Sequence, residues 1–130
     1  MITKQLSVFI ENKTGNLIDL TQSLGEAGIN MSAFSLAETS DFGILRAITS
    51  EPERALEVLK AKRFAASLTD VVCLLAPNKP GALAEILKQF AEKNIYIDYM
   101  YAFSDGDAAK IVIKPDKLKE CMEVLMQIKN

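Results

Sequence analysis

Apolar positions along this chain follow first a strand period, then a helix period, and the order in which they do so occurs twice. Residues 6–10 (LSVFI) form a short apolar run suited to a buried strand. After Gly15, the residues Leu17, Leu20, Thr21, Leu24 and Ala27 recur at helical spacing, and Gly28 follows as a stop. Residues 29–38 alternate and predict a second strand; the segment around Asp41 and Gly43 predicts a turn, and residues 44–49 a third strand. Pro52 suits the first turn of a helix whose apolar face carries Ala55, Leu56 and Leu59. A fourth strand is expected over residues 64–68, ending near Thr69-Asp70.

The same plan then restarts. Residues 71–76 predict a strand, Leu83, Ile86, Leu87 and Phe90 a helix, residues 95–103 a second strand and residues 104–107 a turn. Residues 110–114 predict a third strand, and Leu118, Cys121, Met122, Leu125 and Ile128 share one face of a last helix. No room is left for a fourth strand in this copy. Sliding the chain by 66 positions places Asn12 on Asn78, Lys13 on Lys79, Gly15 on Gly81 and Leu17 on Leu83 without a gap. The register holds to the end, where Glu57, Val58 and Leu59 fall on Glu123, Val124 and Leu125. A register held that far is a duplication, with repeats over residues 1–69 and 70–130.

The predicted fold class is therefore α+β: two ferredoxin-like βαββαβ repeats side by side, their antiparallel sheet covered by helices on one face, the second repeat lacking a clear fourth strand. Units of this size bury little surface alone, so the two are expected to share one continuous sheet. The strand edge at residues 71–76 would then expose unpaired N–H and C=O groups. A second copy of the chain, or residues 64–68, is expected to cover it; hence a homodimer.

Composition narrows the chemistry. The chain is 49% hydrophobic and 25% charged, with a net charge of −2 and both signs interspersed. No basic stripe suits a nucleic-acid backbone, no apolar stretch suits a membrane span, and no leader is visible. A cytoplasmic protein is the expectation. There is no His, so the commonest general base and transition-metal ligand are both missing. Cys73 and Cys121 follow no metal-ligand spacing and read as small hydrophobes. Neither a catalytic residue, a metal site nor a cofactor is expected.

Chemistry concentrates in the loop Asn-Lys-Xaa-Gly-Xaa-Leu that joins the first strand to the first helix of each copy. Its Gly allows close backbone approach, and the helix start exposes N–H groups suited to a carboxylate. The Asn can donate and accept at once, as a zwitterion requires. A plain strand-to-helix turn uses the same residue types; finding the loop at the same place twice favours a site.

ENKTGNLIDLTQSLGEAGINMSAFSL and PNKPGALAEILKQFAEKNIYIDYMYA resemble the opening of an ACT domain, the amino-acid-binding regulatory module. The family pattern is a strand, Asn-Xaa-Pro-Gly-Xaa-Leu, a helix, and Gly-Ile/Val-Asn-Ile entering the second strand. The resemblance implies a free amino-acid ligand between the loop of one module and the second-strand start of its neighbour. It assigns one site to Asn78, Lys79, Pro80, Gly81, Ala82 and Leu83 with Asn30, Met31 and Ser32. The other takes Asn12, Lys13, Thr14, Gly15, Asn16 and Leu17 with Tyr96, Ile97 and Asp98. Thr14 departs from the loop Pro and Tyr96 from the second Asn, so the two sites are expected to be unequal. A polar residue two before the loop Asn, found in serine-binding members, is here Ile10 and Ala76. Asp98 is either an ammonium partner or a solvated carboxylate, and Tyr99 and Tyr101 fill space opposite Ala33 and Ser35. The implied function is a stand-alone sensor acting on a regulated enzyme or other protein partner. The alternative is an assembly or regulatory subunit of a larger enzyme that binds no ligand.

Overall fold

The computed structural model describes residues 1–11, 13–38 and 41–128. In chain order come β1 (Ile2–Glu11), α1 (Asn16–Glu26), β2 (Met31–Glu38), β3 (Phe42–Thr49) and α2 (Pro52–Ala61). They are followed by β4 (Ala65–Pro77), α3 (Ala82–Glu92), β5 (Ile97–Asp105), β6 (Ala108–Pro115) and α4 (Leu118–Ile128). The fold is α+β, with strand, helix, two strands and helix occurring twice, and the ladders β1–β3, β2–β3, β4–β6 and β5–β6 are antiparallel. Two compact units divide the chain: Lys4–Thr69, and Asp70–Asn130 together with Met1–Thr3.

In the Lys4–Thr69 unit the strand order is β2-β3-β1-β4. The pairs Leu6↔Ala47, Val8↔Leu45 and Ile10↔Gly43 place Leu6, Val8 and Ile10 on one face of the sheet. Leu20 and Leu24 of α1 and Ala55 and Leu59 of α2 pack with them into one core, so both helices cover that face. Each fully buried Leu contributes about 1.5–3 kcal/mol. In the other unit the order is β4-β6-β5. There Val72↔Ile113, Leu74↔Ile111 and Ala76↔Ala109 share a face, closed by Ile86 and Phe90 of α3 and Cys121, Val124 and Leu125 of α4.

Three helices end in the same way. Ile29, Phe64 and Ile95 donate their N–H groups to the carbonyls of Leu24, Leu59 and Phe90, all at 2.9 Å. The residue before each has positive φ: Gly28 at 75°, Arg63 at 68° and Asn94 at 57°. These are left-handed caps that satisfy carbonyls the helix would leave unpaired. Gly28, and Asn94 at the matching position of the second repeat, are residue types such a cap favours; Arg63 is not.

Several expectations need correction. The strands expected at residues 64–68 and 71–76 are one strand, β4, which runs through Thr69-Asp70 without a break. The reason is local: residues 65–76 contain no Gly or Pro, and Ala66 and Leu68 before Asp70, like Val72, Leu74 and Ala76 after it, fall at strand spacing in one phase. The Thr69 hydroxyl also meets the Ser7 hydroxyl at 3.3 Å. Gly43 lies within β3 rather than in a turn; a Cβ there would come 3.3 Å from Leu36 Cδ1. Thr39 and Ser40, in the preceding connection, lie outside the described residues.

The edge at residues 71–76 also has a partner that was not expected. Cys73 N–H donates to the Met1 carbonyl at 2.8 Å, and the Met1 ammonium donates to the Cys73 carbonyl at 3.0 Å. At Cys73 the edge is thus met by the first residue of the same chain, not by a second copy or by residues 64–68. Removing residues 1–3 should cost about 1–3 kcal/mol, the net worth of two hydrogen bonds. It should also accelerate hydrogen exchange at the Cys73 amide; unchanged protection there, measured by NMR, would show that the pairing contributes nothing.

Candidate functional site

The two loops are built alike. Gly15 and Gly81 open α1 and α3 with φ of 97° and 88°. A Cβ at either position would meet nothing within 4 Å, so glycine is required here by the left-handed backbone, not by close approach. Lys13 N–H donates to Glu11 O at 2.7 Å and Asn16 N–H to Lys13 O at 3.2 Å. Lys79 N–H donates to Pro77 O at 3.0 Å and Ala82 N–H to Lys79 O at 3.3 Å. The first helical bonds then run from Asp19 N–H to Gly15 O and from Glu85 N–H to Gly81 O. Amides of the turn between have no acceptor within the helix, and the helix dipole favours an anion there.

Their side chains differ. In the first loop Asn16 Nδ2 donates to the Glu11 carbonyl at 3.0 Å. Lys13 Nζ pairs with Glu11 Oε2 at 2.8 Å, which raises the Lys13 pKa through that hydrogen bond and charge. Asn12 lies outside the described residues. In the second loop Asn78 N–H donates to the Asp107 carbonyl at 2.8 Å, and its Nδ2 donates to the Ser104 hydroxyl at 3.4 Å.

Each loop borders a cleft within its own repeat. Asn78, Lys79 and Leu83 line one of about 300 Å³ with Met100, Tyr101 and Ala102 of β5 and with Ala76, Pro77, Ala109 and Ile111. Lys13, Thr14 and Leu17 line one of about 310 Å³ with Ile10, Glu11, Leu36, Glu38 and Gly43. By the 66-residue offset of the duplication, Ile10, Glu11, Lys13, Leu17, Leu36 and Gly43 correspond to Ala76, Pro77, Lys79, Leu83, Ala102 and Ala109. The same place in the fold is hollow twice.

The strand residues in these walls were not anticipated, for a physical reason. Between Met31 and Ala33, and again between Ile97 and Tyr99, the strand register slips by one residue. Ser32 and Asp98 are the extra residues, and each slip is a bulge that shifts the alternation. Phe34 and Leu36 thus pair with Ala47 and Leu45, and Met100 and Ala102 with Ile113 and Ile111, on the helix-covered face. Strict alternation from Ile97 would have put Tyr99 and Tyr101 there instead.

The predicted second-strand residues lie elsewhere within their units, and none lines its own repeat's loop cleft. Asn30 N–H donates to the Ser50 hydroxyl at 3.0 Å and its carbonyl accepts from Ser50 N–H at 2.9 Å. Tyr96 is held likewise, donating to Asp116 Oδ1 at 2.9 Å and accepting from Asp116 N–H at 2.9 Å; its side chain is exposed. Met31 and Ile97 pack against the two cores. The Ser32 hydroxyl donates to the Ile48 carbonyl at 3.3 Å, and Asp98 Oδ2 is paired with Lys114 Nζ at 3.3 Å. Both thiols are free, and burial pushes that of Cys121 up to about 11, far from a nucleophile's range at neutral pH.

A duplicated strand–loop–helix unit with a left-handed glycine at each helix start agrees with what the whole sequence matches, the family described as ACT domain pair, over residues 1–130. The chain belongs to the ACT domain pair family. This ACT pair superposes on a solved protein from Bacteroides thetaiotaomicron with 46% identity and a TM-score of 0.96, covering 99% of this chain and 90% of that one. It shares its fold with the ligand-free regulatory subunit of aspartate kinase from Thermus thermophilus, at 14% identity and TM-score 0.68, covering 98% of this chain and 96% of that chain. The corresponding subunit from Thermus flavus gives 17% identity and TM-score 0.68, with coverage of 100% and 96%. No curated protein matches the sequence. The ACT pair is a regulatory, ligand-sensing fold, and among the described residues no helix is long and apolar enough to cross a membrane.

In this ACT pair Gly81→Ala should lose about 1–2 kcal/mol from forcing a Cβ into the left-handed region, since no neighbour is struck. Gly81→Asn should lose less. Urea denaturation of the two variants checks this, and equal losses would mean that backbone strain is not what selects glycine here.

Proposed function

We propose that this ACT pair is a cytoplasmic, non-catalytic sensor that binds a free α-amino acid at its Asn-Lys-Xaa-Gly-Xaa-Leu loops and thereby regulates amino-acid metabolism through a protein partner. One observation carries the reading: the same loop borders the same cleft in both repeats. Clefts near 300 Å³ lie at the small end of ligand sites, as a single amino acid requires. The ligand carboxylate takes the first-turn amides after Gly81 or Gly15, and the Asn78 carboxamide serves as acceptor for the ammonium. Asn30 and Tyr96, each with its backbone clamped and its side chain exposed, are the proposed second contacts. Asp98, whose Oδ2 is paired with Lys114, has acceptor capacity left for a ligand ammonium.

An assembly role is favoured by a different observation. Phe34 and Leu36, on the outer strand of the Lys4–Thr69 unit, are 61% and 52% exposed. A homodimer that covers them is the simplest form of that reading.

Thermal shift with each of the twenty amino acids separates the two. A ligand at a hundredfold excess over its Kd should stabilise the protein by about 2.7 kcal/mol. Asn78→Ala should weaken its binding by roughly ten- to a hundredfold, the worth of a hydrogen bond to a charged group. If none of the twenty raises the Tm, the sensor reading fails and assembly remains.

A further inference from the structure

The two clefts correspond in position but not in chemistry. In the first repeat the wall carries two carboxylates, Glu11 and Glu38, with Ile10 and Leu36 as bulky neighbours. At the matching positions the second repeat has Pro77, Ser104, Ala76 and Ala102. Beyond Asn78 and Lys79 in the loop, its cleft is walled by Pro77 and Tyr101 and by the apolar Ala76, Leu83, Met100, Ala102, Ala109 and Ile111. No carboxylate stands in that wall. The alanines are apolar, and Met100 is a flexible side chain able to adapt to an aliphatic guest.

We infer that the second-repeat cleft selects an α-amino acid with an uncharged aliphatic side chain, of the size of valine, leucine, isoleucine or methionine, and that the first-repeat cleft does not accept it. This rests on the amino-acid reading of the loops and adds the class of ligand. Zwitterion recognition uses the loop itself, where Asn78 and Lys79 lie beside the helix start, and leaves the side chain facing the apolar wall. A charged side chain against that wall loses its hydration, and no carboxylate there receives a cation, which costs far more than the wall returns. The first-repeat cleft is of similar volume, but there an aliphatic side chain meets Glu38 and the Lys13-paired Glu11.

Isothermal calorimetry on the whole chain, with leucine, isoleucine, valine and methionine against lysine, glutamate and serine, tests the inference. The best aliphatic amino acid should bind at least roughly tenfold more tightly than any of the other three, at one site per chain. Ala102→Leu, which puts an isobutyl group where a methyl stood, should weaken leucine by about tenfold more than it weakens alanine. The variant is conservative: Ala102 is exposed on an outer strand and the first repeat carries leucine at the matching position. Should it melt early, the Met100 methyl resonance of the unaltered protein replaces it, and must shift on adding leucine but not lysine. Lysine, glutamate or serine binding as tightly as leucine, or two equal aliphatic sites per chain, would overturn the selectivity and leave the sensor standing. No binding by any amino acid would overturn both.

Discussion

Burial of one sheet face beneath two helices is the constraint on which everything else in each repeat depends. Leu6, Val8 and Ile10 in one unit, and Val72, Leu74 and Ala76 in the other, must all leave water on the same side of their strands. That requirement sets the strand register, since a slip of one residue would turn the whole apolar set outward. It also sets the loop geometry. A helix that must lie back over the strand it follows needs a sharp reversal between Glu11 and Asn16, or Pro77 and Ala82, and the left-handed glycine makes it.

The hollow beside each loop follows from the same packing and one departure from it. Were the second strand regular, the residues that follow Met31 or Ile97 into the core would leave Leu36, Met100 and Ala102 on the opposite face. The bulges at Ser32 and Asp98 reverse this, and the outer strand then presents its second half to the helix-covered side, beside the first turn of α1 or α3. Partly exposed Phe34 and Met100 are the direct consequence. A fold that duplicates this arrangement carries two candidate sites at no extra structural cost. Their linings are free to diverge, because rim positions such as Glu11 and Pro77 contribute little to the cores.

Sequence alone determined the duplication, the α+β plan, the two helix-opening loops and most core positions. Each of these is written in local terms: a period of two or 3.6, a Pro at the start of α2, a Gly where φ is positive. The helix cap at Arg63 was illegible because arginine has no preference for the left-handed region and adopts it under tertiary packing. The remaining decisions belong to pairing between distant segments. Only the folded chain shows that β4 passes unbroken through Thr69-Asp70, that Met1 meets Cys73, and that Lys114 holds Asp98. The bulges belong here as well. Their extra residues, Ser32 and Asp98, are ordinary strand residues in sequence, and only the register of the partner strand leaves them unmatched. Because that register is set by burial across the whole sheet, the face of the strand that lines each cleft was decided by tertiary structure and not by the residues of the strand itself.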